Sequence, residues 1–125
     1  MMKVFVFSTL LVVSTVFGDR SIPSTPAELT ERVEAAFAAA DVEIAQIVAI
    51  GDQKRTYENT IGAIDDMMAR LDGASNLAVF MAYVHPDAAI REAAQVGEQL
   101  WSDWSIDFSS NEDLYKAVKA FAETK

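Results

Sequence analysis

The chain contains no cysteine, one histidine, three prolines and five glycines in 125 residues. The lack of cysteine excludes disulfide bridges, thiolate metal sites and cysteine nucleophiles. It is compatible with an oxidising compartment without requiring one. A single histidine, His85, has no histidine or cysteine co-ligand, whereas a zinc hydrolase site needs three or four converging donors. Positive charge is also scarce: 10 Lys and Arg stand against 19 Asp and Glu, a formal net charge of −9. Lys3 is the sole charged side chain before Asp19, so the remainder carries about −10. Such a surface repels nucleic acid phosphates and anionic lipid heads. No nucleic acid partner and no stable membrane association are expected.

What is present is apolar and helical. Hydrophobic residues make up 51% of the chain, enough for one domain with a core but not for two. The start, "MMKVFVFSTLLVVSTVFG", places one basic residue before an uncharged apolar stretch at 4–17. Val16 and Gly18 occupy the positions a signal peptidase reads, and polar Asp19 and Arg20 follow. This pattern predicts a secretory signal peptide over 1–18 and export, periplasmic or secreted. The apolar run is short for a membrane span, which needs roughly 20 residues; an uncleaved anchor is the competing reading. Without a cysteine at the cleavage point, a lipid anchor is not expected.

Residues 19–25 read as a polar linker, and 26–125 as a single all-α unit, an antiparallel bundle of four to five helices with short loops. Thr25, Pro26 and Glu28 form a capping-box signature. Leu29, Val33, Phe37, Ala40, Ile44 and Ile47 then mark one helix face, and Gly51 is a stop signal. "GDQKR" reads as a polar connection. Thr56 is the next cap, before an apolar face of Tyr57, Ile61, Ile64, Met68 and Leu71. "DGAS" at 72–75 predicts an interruption, and "NLAVFMAYV" a buried short helix or a strand. His85, Pro86 and Asp87 break the chain before a third long helix. That helix shows Ile90, Ala93 or Ala94, Gly97, Trp101, Trp104 and Phe108. Ser109 with Glu112 predicts a second capping box, and Leu114, Val118 and Phe121 a last helix.

Residues able to carry chemistry each have a plainer structural explanation. "DGASN" at 72–76 lacks the closing glutamate of a calcium loop. His85 has no serine nearby in sequence and no nucleophile-elbow context, so a turn histidine is favoured over a base. Asp65 and Asp66 are adjacent on a helix, and their side chains diverge by about 100 degrees. Glu31 and Glu34, and Glu92 and Glu98, read as solvated faces. Trp101, Trp104 and Phe108 could form a ligand platform, but core packing is the better account, with the five methionines as gap fillers. No catalytic or metal residue is assigned, and substrate-binding residues are unknown.

Two stretches carry a resemblance. "TYENTIGAIDDMMARL" at 56–71 resembles the T-[FYW]-E-N-T segment near the start of thimet-oligopeptidase-like zinc peptidases, which include neurolysin, oligopeptidase A and peptidyl-dipeptidase. "VHPDAAIREAAQVGEQLWSDWSIDFSSNEDLYKAVKAFAE" at 84–123 is similar to the segment that follows. The ordered series ENT, HPD, REA and DLY is more specific than any one element, and helix 26–50 fits only loosely.

The resemblance implies a non-catalytic, N-terminal channel-wall segment of an exported zinc metallopeptidase acting on short peptides. In that family an H-E-x-x-H helix and a later glutamate hold zinc, and the motif glutamate is the general base. None of those residues occurs here, so zinc is expected outside this chain, and the chain alone is expected to be inactive. A truncated N-terminal fragment is the expected origin, with apolar surface left exposed and poor behaviour in solution when expressed alone. Glu58 and Asn59 are expected to be structural, and Arg91 to pair with an acid across helices. The alternative is an independent secreted acidic helical binding protein without enzymatic activity.

Overall fold

The computed structural model describes residues 21–124, and the expected signal peptide over 1–18 lies outside them. Four α-helices follow in order: α1 (Pro26–Val48), α2 (Ala63–Val84), α3 (Ala88–Ser109) and α4 (Glu112–Glu123). A 3-10 turn (Asp52–Lys54) and a π-turn (Glu58–Gly62) connect α1 to α2. No strand occurs among the described residues, so the all-α bundle stands. None of the described helices is long and apolar enough to cross a membrane.

The first three helices alternate in direction. Glu43 of α1 pairs with Arg70 of α2. Further toward the start of α1, Val33 lies in the same layer as Ala78 of α2 and Gly97 of α3. Asp41 of α1 reaches Trp104 of α3. Thus α1 and α2 run antiparallel, and α3 returns parallel to α1. The short α4 packs on α1 and on both turns of the connection, so it covers the end where α1 finishes and α2 begins.

Capping fixes where the chain becomes helical. Thr25 Oγ1 accepts from the Glu28 N–H at 3.1 Å, and Pro26 supplies a preset φ at the first helical position. The Glu28 carboxylate reaches back one residue beyond the cap, to the Ser24 N–H at 2.9 Å and the Ser24 hydroxyl at 3.0 Å. Arg32 joins Glu28 at 2.6 Å and donates to the Ser21 carbonyl at 2.7 Å, tying the linker to α1. Pro23 is fully buried within that linker.

The expected faces of α1, α3 and α4 are the buried ones, with small shifts. All six apolar positions of α1 are buried, as are Ile90, Ala94, Gly97 and Trp104 of α3. In α4, Ala117 joins Leu114 and Phe121, while Val118 is half-buried. Each large aliphatic side chain so removed from water contributes about 1.5–3 kcal/mol.

The second helix departs from expectation in three ways. No interruption occurs at 72–75: α2 runs unbroken to Val84, and Gly73 faces open space on its exposed side. Burial of Leu71, Ser75 and Ala78 on the other side holds the helix through this weak stretch. Ser75 keeps its hydroxyl on the Asp72 carbonyl at 3.3 Å. The segment 76–84 is therefore neither a separate helix nor a strand, and it is not wholly buried: Phe80, Tyr83 and Val84 are exposed. Finally, the face is rotated. Of the expected face only Leu71 is buried; Tyr57 is exposed and Ile61, Ile64 and Met68 are half-buried, while Thr60 and Met67 line the core beside Leu71. The π-turn explains this, because the Gly62 N–H donates to the Tyr57 carbonyl at 2.8 Å and one extra residue shifts the helical phase.

The second capping box also differs. Asn111, not Ser109, caps α4, accepting from the Leu114 N–H at 2.9 Å. Ser109 remains in α3, where its hydroxyl donates to the Ser105 carbonyl at 2.7 Å.

Two tests follow from this packing. A Cβ at Gly97 would lie 3.4 Å from Ala78 Cβ and 3.5 Å from Val33 Cγ2. Gly97→Ala should stay within about 1 kcal/mol of the parent, gained helix propensity offsetting a tight contact. Gly97→Leu should lose about 1–3 kcal/mol in urea unfolding, through overpacking of three helices. The Glu28 carboxyl is held below its ordinary range, first by the Ser24 N–H and then by the Ser24 hydroxyl, with desolvation opposing and Arg32 adding to the lowering. A lowered folded value means the stabilisation is complete above the ordinary glutamate range and is lost as pH falls through the lowered value. The difference in melting temperature between the parent and Glu28→Gln should be present at neutral pH and shrink in acid.

Candidate functional site

The stretch 54–60 holds the densest polar network. Thr56 and Asn59 cap one another: the Thr56 N–H donates to Asn59 Oδ1 at 2.8 Å, and the Asn59 N–H donates to Thr56 Oγ1 at 3.2 Å. Asn59 Nδ2 donates to the Lys54 carbonyl at 2.9 Å, and the Thr60 hydroxyl, wholly buried, donates to Asn59 Oδ1 at 2.9 Å. Asn59 thus locks the 3-10 turn onto the start of the π-turn, a structural role. Glu58 is exposed on the outer side.

Arg55 is the residue that sequence reasoning passed over within "GDQKR". Its side chain is 3% exposed. Nη1 donates to the Ile47 carbonyl at 3.0 Å and Nη2 to the Val48 carbonyl at 3.2 Å. Nε donates to Asp52 Oδ1 at 3.2 Å. These carbonyls are among the last of α1, which have no partner within the helix, and a cation there opposes the negative end of the helix dipole. Gly51 is not the device that ends α1, since its backbone is extended at φ −65. The only signal available beforehand was an arginine a few residues beyond a helix lacking a basic last turn.

At the opposite end of the bundle an arginine holds carbonyls of the turn, outside the helix. Arg91 donates through Nη1 to the carbonyls of His85 at 2.6 Å and Pro86 at 2.9 Å, rather than to a carboxylate across helices. His85 caps α2 with extended backbone, and its Nδ1 accepts from the Asp87 N–H at 3.1 Å. Asp87 in turn caps α3, accepting from the Ala89 N–H at 2.8 Å. The histidine is a turn residue engaged with backbone.

The remaining candidates stay apart. Asp65 and Asp66 are exposed in the first turn of α2, and Glu31, Glu34 and Glu92 are exposed. Residues 72–76 are helical, so they form no oxygen-rich loop. Among the described residues no three His, Cys, Asp or Glu side chains stand where they could share a metal ion. The donor set does not fit zinc, and no step through zinc is derived for this chain. Trp101, Trp104 and Phe108 stack in series with Phe37 of α1, with ring centroids 5.1–6.2 Å apart. Trp104 Nε1 donates to Asp41 Oδ1 at 2.8 Å. The aromatic row is therefore a seam between α1 and α3. Beside it an open groove of about 420 Å³ runs between Asp41, Ile44 and Val48 of α1 and Asn111 and Asp113 at the start of α4.

Comparison with known proteins gives a sequence similarity. A thimet-like oligopeptidase of Dictyostelium discoideum is 29% identical over 97 residues, covering 78% of this chain and 14% of that protein. The similarity indicates a relationship to the thimet-like oligopeptidases, over a small part of the relative's length. No family model matches the chain, and no solved structure matches it.

Arg55→Met should cost about 1–3 kcal/mol in urea unfolding, because it removes the guanidinium donors from the Ile47 and Val48 carbonyls and leaves Ile47 the Ile50 N–H at 3.3 Å. Lys54→Ala, on an exposed side chain, should stay within about 0.5 kcal/mol of the parent.

Proposed function

We propose that this chain is a non-catalytic helical segment of an exported zinc metallopeptidase that hydrolyses short peptides, and that it helps to wall the channel admitting them. The observation that carries the reading is the 97-residue similarity to a thimet-like oligopeptidase. Two features support it. Asn59, Arg55, His85 and Arg91 are engaged with backbone groups, as a supporting wall requires. The acidic surface would face a polypeptide substrate rather than a polyanion. On this reading, zinc and the general base belong to other parts of the parent polypeptide, and the leader pattern at 1–18 would direct export.

The test is an assay of the chain alone on short peptides with added zinc. Turnover should not exceed that of a heat-denatured control; turnover above it refutes the non-catalytic assignment. Reading the gene beyond the codon for Lys125 decides between this role and an independent binding protein. An open frame running to an H-E-x-x-H motif supports the peptidase, and an immediate stop codon rejects it.

A further inference from the structure

The groove between α1 and the start of α4 joins an apolar floor to acidic ends. Ile44, Ala45 and Val48 supply the floor of this open cavity of about 420 Å³. Asp41 and Asp113, both exposed, line it as well, and no lysine or arginine does. Their positions follow from the fold. Trp104 of α3 meets Asp41 of α1. Because the two helices run parallel, α3 ends at Ser109 about 8 Å further along, level with the last turn of α1. Asn111 and Asp113 come next, so Asp41 stands at one end of the groove and Asp113 at the other. From Asp41 to Val48 the floor extends about 10 Å, the length of roughly three extended residues.

We propose that this groove binds a short extended peptide through an arginine side chain, whose guanidinium pairs with Asp41. Charge and shape both complement that ligand. Asp41 Oδ1 accepts from Trp104 Nε1 at 2.8 Å, which orients the carboxylate, and none of the described ion pairs engages it. A carboxylate held in this way keeps a second oxygen for a further donor, and guanidinium offers several donors in a planar fork. Asp113 is held loosely, at 3.8 Å from a Lys116 ammonium that lies closer to Glu112, at 3.0 Å. The aliphatic stem of arginine covers apolar surface while its head stays hydrated. That division suits Ile44, Ala45 and Val48 beside an exposed carboxylate. An anionic ligand would meet two carboxylates on a body of net charge −9. A wholly apolar one would strip water from those carboxylates without replacing its hydrogen bonds. A peptide is favoured over a free guanidinium by the extent of the groove, which is longer than one side-chain head. Its flanking residues would lie over Val48 toward Asn111. This proposal concerns binding and does not rest on the peptidase reading.

The experiment titrates the full 1–125 chain, isotope-labelled for NMR, with the blocked peptide acetyl-Ala-Arg-Ala-amide. The Trp104 Nε1–H resonance, assigned with Trp101→Phe, should shift together with amides of 41–48 and 111–113 and saturate at millimolar peptide. The same peptide with citrulline in place of arginine keeps the shape and loses the charge. It should bind about tenfold more weakly, as should free methylguanidinium. Asp41→Asn retains an acceptor for the indole and removes the charge, so affinity should fall about tenfold. Ala45→Lys, at an exposed position one turn from Asp41, should abolish binding by supplying an internal cation. Glu31→Gln makes the same charge change about 15 Å away along α1, beyond the screening length, and should leave affinity unchanged. Absence of a saturable shift, shifts confined to other surfaces, or equal affinity for the citrulline peptide or methylguanidinium would overturn the proposal. Equal losses in Asp41→Asn and Glu31→Gln would do the same. The three ligands are compared on the unsubstituted chain, so the outcome does not hang on any variant folding. Peptide hydrolysis is not read out, so this test fails or succeeds apart from the one above.

Discussion

The structure depends on satisfying the carbonyl ends of its helices. A helix leaves its last four carbonyls without internal partners, and burying them uncompensated costs about as much as losing the hydrogen bonds. Neither α1 nor α2 carries a basic residue in its last turn. The fold supplies the missing donors from further along the chain. For α1, Arg55 turns back onto Ile47 and Val48; after α2, Arg91 instead holds the turn carbonyls of His85 and Pro86. Each arginine thus closes the connection that precedes it, fixing the direction in which the next helix leaves.

Between the two closures the helices meet through surfaces of different character. Near one end, Val33, Ala78 and Gly97 allow close approach because no bulky side chain intervenes. Toward the other, Phe37, Trp101, Trp104 and Phe108 fill a wider gap with stacked rings. The hydrogen bond from Trp104 to Asp41 fixes the rotation of α3 against α1, which stacking alone would leave freer. No buried side-chain nitrogen or oxygen among the described residues lacks a partner, so hydrogen bonds offset the cost of taking these polar groups out of water.

Helix faces were legible in the sequence wherever 3.6-residue spacing held without disturbance, as for Leu29 through Ile47 and for Ile90 through Trp104. Legibility failed where a local rule met a tertiary one. The Asp72, Gly73 and Ser75 signals point to a break, but burial on the opposite side of α2 outweighs a propensity cost of about 1 kcal/mol per weak residue. The phase of α2 was hidden because a π-turn has no reliable sequence signature. The choice of Asn111 over Ser109 as a cap depends on where α3 ends, and serine hydroxyls on the Ser105 and Ile106 carbonyls settle that. In the candidate site, the Thr56 and Asn59 cap was readable from spacing alone. Arg55 was not, because its role depends on carbonyls seven and eight residues earlier that only the folded turn brings within reach.

The same residues explain why conspicuousness misleads in this chain. His85 attracts attention as the single imidazole, yet its Nδ1 is occupied by the backbone, it caps α2 itself, and Asp87 caps α3. Arg55 looks like one charge in a polar loop, yet it is the most deeply buried of the cations whose ion pairs are resolved, at 3% side-chain exposure. Arginine is suited to that position because its planar fork serves two carbonyls and a carboxylate at once, which a lysine ammonium cannot match in geometry. Arg55 and Arg91 direct most of their donors to backbone carbonyls, while Arg32, Arg70, Lys116 and Lys119 pair with carboxylates. With 10 cations against 19 acids, such pairs cannot reach every carboxylate, and the surface stays acidic.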